Sequence, residues 1–173
     1  NNVFYQNTMT NCYQLNLNSS ESIIAKNDVT GIDLLGGWGT IVCGNRVING
    51  LGIGVGGQNN VFYANHIEGN AYGATIIGSQ EISSSNKMYH NNFVKNREQV
   101  RNWENPSNFW DNGAEGNYWS DYTGADADGN GIGDLPYLVI GRSLDEVERK
   151  ILQVETGKDN YPLMMPFDIS TVT

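Results

Sequence analysis

The chain has 173 residues, enough for one buried core and not obviously two. A formal net charge of −9 sets nucleic acid and anionic lipid aside as partners, and it disfavours acidic polysaccharides unless divalent cations bridge the two. Charged residues are 17% of the chain and hydrophobic residues 39%, with 21 glycines, so the polarity comes from Asn, Ser, Thr and Gly around a packed fold. No apolar run is long enough to cross a bilayer, which excludes membrane insertion by a helix. The chain opens on Asn1 without an initiator Met or signal peptide and reads as processed or excised.

From the N-terminus onward the dominant signal is internal repetition. Asn2-Val3-Phe4-Tyr5-Gln6-Asn7 recurs as Asn60-Val61-Phe62-Tyr63-Ala64-Asn65, and more loosely as Asn86-Lys87-Met88-Tyr89-His90-Asn91. Ser22 to Asn27 and Thr40 to Asn45 are degenerate copies, and a truncated sixth starts at Asn108-Phe109-Trp110. The closing asparagines, 7, 27, 45, 65 and 91, are spaced 20, 18, 20 and 26 residues apart. A second apolar patch follows most copies: Leu15/Leu17, Ile32/Leu34, Ile53/Val55 and Ile76/Ile77. Short β-branched and aromatic runs broken by Gly and Asn, about 20 residues per circuit, predict a coil of short parallel strands. Equivalent residues then stack one strand spacing apart, about 4.8 Å. An Asn column can pass amide hydrogen bonds from rung to rung and tolerates a left-handed corner. A leucine-rich repeat fits poorly, because the chain lacks both a leucine scaffold and a helical period. The expected fold is all-β, a right-handed parallel β-helix of five or six rungs over residues 1–105, followed by a capping region over 106–173. The two cysteines, Cys12 and Cys43, fall in different columns two rungs apart, so buried free thiols are expected.

Beyond the rungs, Asp126, Asp128 and Asn130 alternate, followed by Gly131 and Asp134. Alternation lets three oxygen side chains converge on one cation, and Gly131 permits the sharp turn. The Ile132 carbonyl takes the seventh position of such a loop and Asp134 the ninth. Tyr137 stands at the twelfth, where an EF-hand has a bidentate Glu, so the remaining ligand must come from Asp134, Asp121 or elsewhere. Calcium is the expected cation and its expected role is structural. The plain alternative is an acidic Gly-rich turn. Further on, Ser143-Leu144-Asp145-Glu146 reads as a capping box, with Leu144, Val147, Ile151 and Val154 at helical spacing and Gly157 as a stop. These residues predict a short helix over about 143–156, lying across the end of the coil.

The rungs, together with Asn108-Phe109-Trp110-Asp111-Asn112-Gly113, Asn117-Tyr118-Trp119-Ser120-Asp121-Tyr122, the Asp126 to Tyr137 run and Tyr161-Pro162-Leu163-Met164-Met165-Pro166, resemble the NosD-like β-helix proteins. The resemblance implies the β-helix fold and a place outside the cytoplasm: extracellular, at the cell surface or periplasmic. It also carries two functional labels, periplasmic copper binding and carbohydrate binding or sugar hydrolysis. Fold alone does not decide between them. The stretch between Tyr137 and Tyr161 departs from the family, whose connection there is short.

Three classes of function follow. The first is a non-catalytic, structural or adhesive surface module with a calcium-stabilised cap. The first repeat begins without a cap, so stacking on a second copy or on a longer N-terminal coil is expected. The second is a carbohydrate-binding or carbohydrate-cleaving β-helix. Exposed Trp38 and Trp103 would be its sugar platforms, and Asp28 with Asp33, or Glu68 with Glu98, its carboxylate pairs, which must lie about 5 to 10 Å apart. The third is copper binding, with His66 and His90 as the nitrogen ligands and Met88, Cys43, Met164 and Met165 as soft donors. His66 follows its column Asn and His90 precedes its own, which places the two on a diagonal.

Overall fold

The computed structural model describes residues 2–9, 15–18, 20–76, 83–102, 107–145 and 149–172. The repeats fold as the apolar alternation dictates. Val3–Tyr5, Ile23–Ala25, Ile41–Cys43, Val61–Tyr63 and Lys87–Tyr89 form one five-stranded parallel sheet. Its register puts Val3, Ile23, Ile41, Val61 and Lys87 in one column, as the repeat alignment requires. Phe109 adds to the stack through a bridge to Lys87.

An eight-stranded sheet supplies the other two faces of a triangular coil. Its long members, Asp28–Gly36 and Arg46–Val55, turn a corner. The first part of Arg46–Val55 pairs with His66–Glu68 and the second with Ala74–Ile76. Asn92–Val94 and Tyr118–Trp119 extend the one face, and Val100–Arg101 the other. Inward columns fill the coil: Ile24, Val42, Phe62 and Met88 on the first face, then Val29, Val47, Ile67, Phe93 and Trp119 on the second. On the third face Leu15, Ile32, Ile53 and Ala74 are aligned, as are Leu17, Leu34, Val55 and Ile76. The fourth patch is therefore Ala74/Ile76 in place of the expected Ile76/Ile77, and Ile77 lies outside the described residues.

The Asn column is continuous. Asn7, Asn27, Asn45, Asn65 and Asn91 each donate a backbone and a side-chain N–H to the Oδ1 of the next member, at 2.9 to 3.1 Å, the last pair reaching Asn117. The left-handed residue at each corner is the one before the Asn, not the Asn itself: Gln6, Lys26, Gly44, Ala64 and His90 have φ of 52, 54, 62, 53 and 57°. The Asn is held instead by its own amide, whose second N–H returns to a carbonyl of the preceding rung, as Asn65 Nδ2 does to Val42 O. Two shorter ladders mark the other corners, one through Asn60, Asn86 and Asn108 and one through Asn70, Asn96 and Gln99.

Past the coil the chain departs from the helical expectation. Tyr137–Asp145 and Lys150–Asp159 are an antiparallel hairpin with a bulge at Val139/Ile140. Helix propensity is a weak prior, and here packing overrides it. Val139 and Thr156 are buried on one face, and Thr156 Oγ1 donates to Val139 O. Gly157 is a close-contact position rather than a helix stop, because a Cβ there would meet Trp110 Nε1 at 2.7 Å. Glu146 and Val147, on which the capping box and helical stripe rested, lie outside the described residues, as do Cys12 and Trp103. The terminal segment folds back along the coil. Phe167 exchanges two hydrogen bonds with the Asn92 amide, and Val172 packs on Ala25, Cys43 and Ala64.

Candidate functional site

Two regions concentrate polar chemistry: the loop at 126–134 and a cleft beside the hairpin. In the loop, Asp126 accepts from Asn130 N and Gly131 N at 3.0 Å each, and Asp128 from Asn130 N at 3.1 Å. Asn130 Oδ1 accepts from Ile132 N at 2.8 Å and Asp134 Oδ2 from Ala127 N at 3.0 Å. Gly129 and Gly131 take positive φ, so the turn places the alternating oxygens on its inner side. The loop is tied to the C-terminal segment through Gly133 N to Pro162 O and Met164 N to Gly131 O. Among the described residues no three His, Cys, Asp or Glu side chains lie close enough to hold a metal ion. A cation would therefore draw in Asp126, Asp128 and Asp134 together with the neutral oxygens of Asn130 and Ile132.

Asp121 belongs to the cleft. Its Oδ1 accepts from Gln99 Nε2 at 3.0 Å and its Oδ2 from the Tyr137 hydroxyl at 3.3 Å. Burial, then the charge and hydrogen bond of Asp121, push the Tyr137 phenol well above its ordinary range. The cleft holds about 540 Å³ between the rung around Val100 and the hairpin. Arg142 Nη2 lies 2.8 Å from Glu98 Oε2 across it. Of these residues, Glu98, Asp121 and Tyr137 are singled out in the sequence, though in other roles; Tyr72 and Arg142 carry no motif.

The cap's hinge to the coil is Asp159, which is fully buried. Its Oδ2 accepts from Asn117 N, Asn117 Nδ2 and Trp119 Nε1 at 2.7, 3.3 and 2.8 Å, and its Oδ1 from Tyr161 N at 3.1 Å. Burial pushes its carboxyl up to about 6 against those four donors. Each ladder Asn needs an acceptor beyond it, and the last acceptor has nothing further to donate to. A carboxylate, which only accepts, fits that place. Asp121 ends the Gln99 ladder in the same way.

The other sequence candidates lie apart. His66 Nε2 is 3.0 Å from Glu68, and that hydrogen bond holds Glu68 below the usual carboxylate range. His90 Nε2 is 2.6 Å from Glu115, and its ring stacks on Phe167 at 4.2 Å. Met88 is buried in the core, Met165 is exposed, and Cys43 is a buried free thiol whose pKa burial raises. Copper favours convergent imidazole and sulfur ligands, and these residues do not fit such a centre. Asp28 pairs with Arg46 at 3.3 Å. Trp38 is 55% exposed at a corner bridged to Gln58 and does not line the cleft.

The fold defines a parallel β-solenoid protein. Residues 1–124 match the family described as periplasmic copper-binding protein (NosD), and the chain belongs to that family. Its periplasmic description places the chain on the extracytoplasmic side, and among the described residues no helix is long and apolar enough to cross a membrane. A probable ABC transporter binding protein NosD of Pseudomonas aeruginosa is 38% identical over 81 residues, 46% of this chain and 18% of that protein. The protein of the same name from Stutzerimonas stutzeri is 35% identical over 78 residues, 45% of this chain and 17% of that protein. The matched stretch thus spans less than a fifth of the length of these curated relatives. No solved structure matches the chain.

Proposed function

We propose that the chain is a non-catalytic, structural or adhesive β-helix module at a cell surface, with a cap that calcium stabilises. The observation that carries the reading is the loop itself. Asp126, Asp128, Asn130 and Asp134 are held by the loop's own N–H groups, and the same loop is stitched to residues 162–164. A cation drawing these oxygens together offsets their mutual repulsion and clamps two chain segments joined by backbone hydrogen bonds and the Ile132–Leu163 bridge. Binding to the folded state alone stabilises by about 2.7 kcal/mol at a hundredfold excess over Kd, a shift of roughly 5 to 10 °C in melting temperature. Melting wild type and Asp128→Ala with calcium and then with chelator tests this. The expected result is a chelator-induced drop in wild type that the variant lacks; identical melts would remove calcium from the account.

A further inference from the structure

The sequence holds three Asn-Gly pairs: Asn49-Gly50, Asn112-Gly113 and Asn130-Gly131. Their covalent chemistry is the same, but the fold sets them in three different surroundings. We propose that Asn112-Gly113 is a self-modifying site, where the asparagine amide is converted to aspartate or isoaspartate with water as the only co-reactant.

The pair sits in a turn between Trp110 and Asn117, closed by Asn112 N donating to Glu115 O at 3.0 Å. The parts of an acyl-transfer site meet there. The nucleophile is Gly113 N, which donates to Asp111 Oδ1 at 3.0 Å, so a base already holds its hydrogen. Asp111 is itself fixed, because its Oδ2 accepts from Asn160 N and Nδ2 at 3.0 and 2.9 Å. The electrophile is Asn112 Cγ. Its Oδ1 accepts from two backbone N–H groups, those of Ala114 at 3.0 Å and Glu115 at 2.9 Å. Hydrogen bonds of this kind strengthen as the oxygen becomes an anion. They also fold the side chain back over its own backbone, which keeps both reactants in one turn. Gly113 has a φ of 93°, and no atom lies within 4 Å of the place a Cβ would take, so a five-membered ring has room to form.

The atoms balance. Asp111 takes the Gly113 amide proton as the bond from Gly113 N to Asn112 Cγ forms, and the oxyanion rests on the Ala114 and Glu115 N–H groups. The proton passes to Asn112 Nδ2, the Cγ–Nδ2 bond breaks and ammonia leaves. Water then opens the succinimide at Cγ, giving aspartate, or at the main-chain carbonyl, giving isoaspartate. Nothing is oxidised or reduced. Either product adds one negative charge. Isoaspartate also lengthens the backbone inside the turn that carries Glu115 to His90.

The other two pairs are built differently. Gly50 N donates to Asn70 Oδ1, an amide oxygen and no base, and a Cβ at Gly50 would strike Thr30 O, so strand packing leaves no room for the ring. At Asn130, Asp126 Oδ2 accepts from Gly131 N at 3.0 Å, but Oδ1 receives one N–H, that of Ile132, and the leaving Nδ2 is tied to Asp128 Oδ2 at 2.9 Å. The expected order of reaction is Asn112, then Asn130, then Asn49.

The test is peptide-resolved mass spectrometry of the full chain, aged at neutral pH in calcium, folded and in parallel in denaturant. Asn112 should convert at least about tenfold faster in the folded chain than in the denatured one, with isoaspartate among the products. Asn49 should stay intact in the folded chain. Asp111→Asn should slow Asn112 by a similar factor, and an intact Asn49 in that variant shows that its coil still forms. The proposal is overturned if folding slows Asn112 or leaves its rate unchanged, if Asn130 or Asn49 converts first, or if folded Asp111→Asn keeps the wild-type rate. The comparison of folded with denatured wild type decides the matter even where the variant does not fold. A melt that ignores calcium would leave this result untouched, so the two readings fail separately.

Discussion

In the coil the Asn column repeats one hydrogen-bond scheme from rung to rung, whereas in the cap the buried polar groups converge on single residues that do not recur, Asp159 above all. Asn45, Asn65 and Asn91 are interchangeable in what they give and take, and their rungs differ mainly in apolar filling. The cap instead hangs on Asp159, on the stacked Trp119 and Tyr137, and on a loop tied to residues 162–164. Repetition spreads the burden of satisfying buried amides over many equivalent sites. A terminus cannot repeat, so it requires chemically different residues. The change from Asn to Asp at the ladder's end is the clearest instance.

That contrast breaks hardest in the middle of the ladder. Asn65→Ala leaves Asn45 N, Asn45 Nδ2 and Val42 O without their acceptor or donor in a fully buried column. The expected cost is about 3 to 5 kcal/mol, read from urea unfolding. Asp159→Asn is the next largest effect and depends on pH. The folded carboxyl titrates near 6 against an ordinary 3.8, so between those values the unfolded chain releases a proton that the folded chain keeps. Stability from this group is full below pH 3.8 and falls as pH rises through 6, by about 3 kcal/mol. Wild type should lose that amount across the window while the variant does not; parallel pH profiles would show that Asp159 does not titrate this way. The smallest effect belongs to Asn7→Ala, at the half-exposed start of the same column, where about 1 kcal/mol is expected. An equal loss at Asn7 and Asn65 would mean that the ladder is not cooperative.

The coil was legible because one residue type recurs in one column, and its register follows from Val3, Ile23, Ile41 and Val61. The other two ladders were hidden by substitution: Ser22 and Thr40 stand where Asn60 and Asn86 follow, and Gly50 stands before Asn70 and Asn96. The fourth apolar patch is obscured because the small Ala74 stands in the column of Leu15, Ile32 and Ile53. The hairpin's sequence also fits a helix, because Leu144, Ile151 and Val154 satisfy a helical spacing as well as a strand pattern. What decided it was the fit of Gly157 against Trp110 and of Tyr137 on Trp119, contacts between residues distant in sequence. The cleft was illegible for the same reason: Tyr72, Glu98, Asp121 and Arg142 come from four separate segments and share no spacing.

The most direct test of a self-sufficient coil joined to a cation-dependent cap is amide hydrogen exchange on wild type, with calcium and with chelator. The account predicts that calcium slows exchange over 122–137 and 161–165 and leaves the rungs at 20–76 unchanged. Uniform slowing across the chain, or no change in the cap, would contradict it.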